Sequence, residues 1–197
     1  LTWINDGTGD FRQVWAASHG GETYIVSPGD FDGDGDLDMV VANWSGPSTI
    51  WANVNQGDFD KSQTLTLNGN ISQAFGADNG DLDGDGDLDI WLAAGGNNYV
   101  WLNDSSGTFT FSGAVYPGAD SVGVMLGDIN GDGYLDAFVA NYVGGANYVF
   151  LNDGDGTFTS TGQKIGNLPS NAVALGDLDS DGDLDAFVAN LEDQPNM

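Results

Sequence analysis

The sequence predicts an all-β protein made of repeated four-stranded antiparallel units, and three observations carry that prediction. The first is a nine-residue acidic loop that occurs four times, at Asp30 to Asp38, Asp81 to Asp89, Asp128 to Asp136 and Asp177 to Asp185. All four copies fit D-x-[DN]-x-D-G-x-L-D, and a glycine (Gly29, Gly80, Gly127, Gly176) precedes each. The second is spacing: the first aspartates of the loops lie 51, 47 and 49 residues apart, a period that means a repeat architecture. The third is the short apolar run after each loop, such as Ile90-Trp91-Leu92-Ala93 or Ala137-Phe138-Val139-Ala140. Runs of this length, rich in aromatic and β-branched residues, read as buried strands.

A second landmark keeps the same period. Trp3 to Phe11, Trp51 to Phe59, Trp101 to Phe109 and Phe150 to Phe158 each run from one aromatic to a downstream Phe, and three contain Asn-Asp followed by small residues. That is hairpin-turn chemistry between two strands. One repeat therefore holds four strands, placed in the second repeat at about 71–78, 89–94, 98–103 and 108–111. Four short strands in about 50 residues, with frequent turn signals, describe a β-propeller blade. Alternating strand direction puts the acidic loops (strands 1–2) and the Asn-Asp turns (strands 3–4) on one face. The 2–3 connections and the links between blades fall on the other. First strands such as Ser121 to Leu126 and Asn171 to Leu175 are rich in small residues, which suits the crowded strands nearest a propeller axis.

The whole chain, 1–197, reads as one propeller domain with repeats at about 21–68, 69–115, 116–166 and 167–197, the last completed by 1–20. It opens with a hairpin that no acidic loop precedes and closes with a loop and second strand that no hairpin follows. From first loop aspartate to hairpin aromatic the complete repeats count 21, 20 and 22 residues, and passing from Asp177 through Met197 to Trp3 counts 23. The expectation is a four-blade ring, its last blade assembled from N- and C-terminal half-blades by strand pairing, which removes open sheet edges. Closure within one chain makes a monomer. The same half-blades pairing between chains make an eight-blade dimer or a fibre.

The loops carry the chemistry. Carboxylates at positions 1, 3, 5 and 9 repel one another unless a cation sits between them, and the glycine at position 6 allows the sharp turn. So many hard oxygen donors are what Ca²⁺ requires. Position 7 (Asp36, Asp87, Tyr134, Asp183) offers its backbone carbonyl, because one copy has tyrosine there. Leucine at position 8 (Leu37, Leu88, Leu135, Leu184) is read as the anchor of the loop to a core. An EF-hand closes with a bidentate Glu at position 12, where this chain has Val41, Leu92, Val139 and Val188, so that reading fails in every copy. The third loop, with Asn130 at position 3, carries one negative ligand fewer than its siblings and should be the weakest site.

Composition sets the bounds. The 197 residues hold 30 acidic side chains against three Lys and Arg, a formal charge of −27. Eighteen of the acids lie in the four loops, and four Ca²⁺ would offset eight charges. The remainder still argues against nucleic acid or an anionic membrane as partner. An apolar content of 40% with six Trp argues against disorder. There is no cysteine, hence no disulfide framework, and no apolar run reaches the length of about 18 residues needed for a membrane-spanning helix. Leu1 does not open a signal peptide, which for a secreted protein leaves a mature chain or a fragment. Calcium loops point to an extracellular or cell-surface setting.

On these residues the chain resembles FG-GAP/VCBS-type repeats, the calcium-loop blades of integrin α-subunit propellers and of many secreted bacterial and fungal proteins. The resemblance covers essentially the whole chain. It implies four Ca²⁺ held by Asp30, Asp32, Asp34 and Asp38; by Asp81, Asp83, Asp85 and Asp89; by Asp128, Asn130, Asp132 and Asp136; and by Asp177, Asp179, Asp181 and Asp185. The naming dipeptide survives as Phe75-Gly76, with Val122-Gly123 at the matching place in the third repeat, and the Gly-Ala-Pro element is not evident. Familiar members have seven or eight blades, so a four-blade ring departs from the pattern.

Three functions are open at this point. The first is a non-catalytic recognition or adhesion module, lectin-like or protein-binding. Its ligand would lie opposite the metals, on Trp44, Asn97, Asn98, Tyr99, Tyr142 and Asn147 of the 2–3 connections, although these residues would serve as well to cap strand ends. The second is a structural unit that assembles through its half-blades. The third and weakest is a polysaccharide-active enzyme, since the one histidine, His19, has no paired base and calcium accounts for the Asp clusters. Asn43, Asn70 and Asn103 match N-x-[ST], a pattern that also arises by chance.

Overall fold

A computed structural model describes residues 1–16, 21–66 and 73–191, and among them every regular element is a strand. Three four-stranded antiparallel sheets follow one another in chain order. The first is β3 (Glu22–Gly29), β4 (Asp38–Ser45), β5 (Ser48–Asn55) and β6 (Asp58–Leu65); the second is β7 (Ala74–Gly80), β8 (Asp89–Ala94), β9 (Asn97–Asn103) and β10 (Phe109–Pro117). The third is β11 (Ser121–Gly127), β12 (Asp136–Asn141), β13 (Tyr148–Asn152) and β14 (Phe158–Ser160). Two hairpins flank them, β1 (Thr2–Asn5) with β2 (Phe11–Trp15), and β15 (Ser170–Gly176) with β16 (Asp185–Asn190).

Each acidic loop closes in the same register. Gly29 pairs with Asp38, Gly80 with Asp89, Gly127 with Asp136 and Gly176 with Asp185, so the glycine before the loop and the last loop aspartate are cross-strand partners. The strands forecast for the second repeat are present within a few residues of their expected bounds. The outer strand runs further, to Pro117, and Ile71 lies outside the described residues.

The core lies between blades. One cluster joins Phe31, Val40 and Ile50 of the first sheet to Ile90, Trp101 and Phe109 of the second. The next joins Trp91 and Tyr116 to Val139, Phe150 and Phe158, and a third joins Phe138 and Val149 to Val173 and Val188. The aromatic at the centre of strand 2 is the main coupling piece. Trp91 is fully buried, stacks on Tyr116 with ring centroids 5.0 Å apart, and meets Phe158 edge-on at 4.6 Å.

First strands β3, β7, β11 and β15 pack side by side along the inner rim. The packing is close enough to explain the small residues there. A Cβ at Gly76 would lie 3.1 Å from Gly123 Cα, and one at Gly123 would lie 3.4 Å from Ala172 Cα. The position-8 leucine fixes the other end: Leu88 Cδ1 lies 3.0 Å from where a Cβ on Gly29 would be, Leu184 Cδ1 lies 2.8 Å from that place at Gly127, and Leu135 Cδ1 crowds it at Gly80. Each blade thus presents a leucine to a glycine socket on the blade before it.

The expected closure of a fourth blade within one chain is not what the structure contains. Hairpins β1–β2 and β15–β16 are separate two-stranded sheets, β2 packing beside β6 and β15 beside β11. The reason is geometric. The inner strands pack in the order β3, β7, β11, β15, so the C-terminal hairpin is held beside the third sheet while β1–β2 is held beside β6 of the first. Leu37, expected to anchor the first loop, is 56% exposed for the same reason: no preceding glycine socket faces it.

Candidate functional site

The four loops are organised by their own backbone. The position-1 carboxylate accepts the N–H of the glycine five residues on: Asp30 from Gly35 at 3.1 Å, Asp81 from Gly86 at 3.1 Å, Asp128 from Gly133 at 3.0 Å and Asp177 from Gly182 at 3.1 Å. The position-3 side chain accepts from the N–H of position 5, and position 5 from that of position 7. Glycines at positions 4 and 6 take φ between 73° and 96° in the loops with Gly33, Gly35, Gly84, Gly86, Gly131, Gly133 and Gly182, and Ser180 takes 67° in the fourth. Left-handed backbone of this kind curls the carboxylates towards one point.

In three loops that convergence is tight. Oxygens of Asp30, Asp32 and Asp38, of Asp81, Asp83 and Asp85, and of Asp177, Asp179 and Asp185 each lie within 4.8 Å of one another. Asp30 Oδ1 is buried without a hydrogen-bond partner. A carboxylate oxygen left so among other carboxylates fits a hard cation as its missing partner. The third loop differs as its residues suggest: Asn130 Nδ2 donates to Asp132 Oδ2 at 2.8 Å, so an amide proton occupies one of the position-5 oxygens. Position 7 takes no part through its side chain. Asp36, Asp87 and Asp183 donate their backbone N–H to position 5, the Asp87 carboxylate turns to Ser105 in the next hairpin turn, and Tyr134 lies across Gly154.

Position 9 ties the loop to the sheet. One oxygen of Asp38, Asp89, Asp136 and Asp185 accepts the N–H of position 2, at 2.9–3.0 Å. The other accepts the backbone N–H of a strand-3 asparagine: Asn53 to Asp38 at 2.7 Å, Asn103 to Asp89 at 2.8 Å and Asn152 to Asp136 at 2.8 Å. These asparagines also couple blades. Asn103 Nδ2 donates to the Phe31 carbonyl of the preceding loop at 2.7 Å, and Asn152 Nδ2 to that of Leu82 at 2.8 Å. The sequence reading missed them, although an Asn two residues after each hairpin aromatic was visible in every repeat. Burial pushes the Asp89 carboxyl up to about 6, with Asp83 and Asp85 adding and the Asn103 and Leu82 amides opposing; burial likewise raises Asp38 and Asp136.

The opposite end of the inner rim holds a cleft of about 650 Å³. Trp44 and Tyr142, both named from the sequence, line it and are each nearly half exposed. Tyr24 and Phe75, which sequence reading passed over, complete the aromatic wall, their rings edge to face at 5.3 Å. Gln73, Asp120 and Asn171 are its polar lining. Three residues expected in the ligand set belong to the packing instead. Asn98 and Asn147 are fully buried: Asn98 accepts the Ala94 N–H, and Asn147 accepts from Asn141 and donates to Ser170. Tyr99 packs on the first core cluster beside Phe111. Asn97 is exposed at the start of β9, outside the cleft. The sequons fare similarly, since Asn43 and Asn103 are buried with their amides donating to Pro47 and to Phe31 and Leu88. Asn70 and His19 lie outside the described residues.

Repeated four-stranded sheets on a common inner rim, each with an acidic loop on one face, define a propeller-like repeat protein. The chain belongs to the FG-GAP-like repeat family, whose pattern matches residues 1–41, 30–92, 81–139 and 128–188. No curated protein matches it significantly. Among solved structures it is similar to an Agrocybe aegerita lectin described for specific recognition of non-reducing terminal N-acetylglucosamine. The match has 24% identity and a TM-score of 0.52, covering 82% of this chain and 45% of that one. It is also similar to BBS1N, solved in complex with ARL6DN, at 16% identity and a TM-score of 0.54, covering 86% of this chain and 47% of that one. The chain therefore spans about half the length of the solved structures it matches, and the likeness shows the fold.

Proposed function

We propose that the chain is a calcium-stabilised, extracellular recognition module without catalytic activity, and that its ligand is a carbohydrate held in the cleft opposite the acidic loops. The cleft carries this reading. Exposed aromatic faces from Trp44, Tyr142 and Tyr24 suit the apolar face of a sugar ring, and Gln73, Asp120 and Asn171 suit its hydroxyl edge. Asp120 is the one carboxylate among the described lining residues, which favours binding over acid–base chemistry between a pair of carboxylates. The glycan specificity of the Agrocybe lectin supports the same direction.

Calcium would be held by the residues at positions 1, 3, 5 and 9 of each loop, and when bound it supplies the positive charge that lets these carboxylates converge. The protein's own part is to pre-curl the loop by its backbone N–H bonds and to fasten position 9 to strand 3. Sites of this kind in extracellular modules have dissociation constants of roughly 10⁻⁴–10⁻³ M, which matches calcium outside cells. The test is a glycan array in millimolar calcium, run with the native protein and with Trp44→Ala and Tyr142→Ala. Binding by the native protein that either substitution abolishes, with melting unchanged, is the expected outcome. A silent array, or binding indifferent to both substitutions, rejects the cleft.

A further inference from the structure

We infer that the cleft opposite the acidic loops holds a subsite for an amine, and that the glycan it takes carries a free, protonated amino group. The inference rests on the carbohydrate reading of that cleft and names the chemistry of the sugar. The subsite lies where the second and third sheets meet, around Phe75, Gln73, Gly95 and Asp120.

Strand register makes the blades comparable at this place. Asn43, Ala94 and Asn141 are equivalent, paired with Thr23, Ala74 and Ser121 of their inner strands. The residue after each of them lines the cleft, and these are Trp44, Gly95 and Tyr142. The same backbone bridge stands at the last two: Gly95 N–H donates to the Gln73 carbonyl and Tyr142 N–H to the Asp120 carbonyl, both at 3.0 Å. The second blade thus omits a side chain where both neighbours carry a large ring.

That omission opens a place for one heavy atom. A Cβ at Gly95 would stand 3.5 Å from Phe75 Cε2, 3.9 Å from Asp120 Oδ1 and 4.0 Å from Gln73 Oε1. A ring carbon and two oxygens from different residues therefore converge on one point at van der Waals distance. A primary ammonium suits such a point, since an aromatic ring and a carboxylate both attract a cation. An acetamide there would add heavy atoms to a point already in contact, and would leave the carboxylate without a charge partner.

Charge separates the amine from a hydroxyl, which would also fit. Arg12, Lys61 and Lys164, the only Lys and Arg of the chain, are not among the described residues that line the cleft. Among the described residues no hydrogen bond engages the Asp120 carboxylate. Its backbone is nonetheless held from both sides, Ala119 N–H donating to Asn141 Oδ1 at 3.3 Å and Val143 N–H to the Ala119 carbonyl at 3.2 Å. Asp120 takes φ 52°, a left-handed conformation that costs free energy in any residue with a side chain and concentrates at ligand clamps. A carboxylate so placed, unpaired and beside an aromatic wall, is arranged for a cation. The formal charge of −27 works in the same direction, drawing cationic sugars and repelling acidic ones.

Binding of glucosamine oligomers, free-amine and fully N-acetylated, in mildly acidic buffer with millimolar calcium tests this beside the glycan array. The native protein should hold the free-amine oligomer at least about tenfold more tightly, the worth of one charged hydrogen bond. Asp120→Asn keeps the shape and tolerates the left-handed backbone, and should bring both oligomers to the weaker affinity. Gly95 has no positive φ, and its Cβ would make only ordinary contacts. Gly95→Ala should therefore melt like the native protein yet lose at least about tenfold on the free-amine oligomer. Equal or tighter binding of the acetylated oligomer, still lost in Trp44→Ala, overturns the amine subsite and leaves the cleft in place. Free-amine binding that either Asp120→Asn or Gly95→Ala leaves unchanged overturns it as well. If neither oligomer binds while another glycan on the array does, the subsite alone is wrong; silence throughout removes the carbohydrate reading and the subsite with it.

Discussion

Asn103 shows how much one side chain does in this fold. Its backbone N–H holds Asp89 in place, and its amide crosses to the Phe31 carbonyl of the preceding blade while also reaching Leu88. Asn103→Ala strands a buried carbonyl and should cost about 1–3 kcal/mol, read as a lower urea midpoint with unchanged slope. The loop carboxylates make a second residue-scale prediction. Burial raises Asp89 to about 6 from its ordinary 3.8, so without metal the folded state binds this proton more tightly than the unfolded chain does. That contribution is complete below the unfolded value and is lost as pH rises through about 6. Chelated protein should therefore melt higher at pH 5 than at pH 7, with the difference reduced in Asp89→Asn; a lower melting temperature at pH 5 contradicts it. At the third site, Asn130→Asp removes the amide bond to Asp132 and adds a charge, and calorimetric titration should find the last-filling site tightened.

At the scale of elements, each loop is a staple between strands 1 and 2, and the second also sits under the next blade's hairpin: Gly156 N–H donates to the Leu82 carbonyl at 2.8 Å. A ligand that binds only the folded form stabilises it by mass action, so chelator should lower the melting temperature by many degrees, and an unchanged curve would dismiss calcium as the staple. Strand packing gives an independent measure. Trp91→Ala empties the centre of the second core cluster and should cost about 3–5 kcal/mol, a loss that saturating calcium should leave in place. Most of this level was legible in the sequence, because the acidic loop fixes where strand 1 stops and strand 2 starts, and the paired aromatics fix strands 3 and 4. What escaped was orientation. Asn98 and Asn147 sit on connections, where sequence suggests exposure, yet both turn inward to satisfy backbone groups at strand ends. Tyr24 and Phe75 sit in inner strands, where sequence suggests burial, yet they face the cleft.

For the whole molecule, counting residues matched the two half-blades in length but could not place them in space, since the rotation from blade to blade is a property of packing rather than of spacing. The leucine-to-glycine joint has a consequence for growth. Each blade carries the leucine on one side and the glycine on the other, so the coupling has a polarity and every joint offers the next the same pair of surfaces. Nothing in a joint records how many blades precede it. Duplicating residues 81–127 in place should therefore yield a folded, longer arc whose added blade is accepted by both neighbours, and the number of blades can drift by whole units over evolution without any contact having to be reinvented.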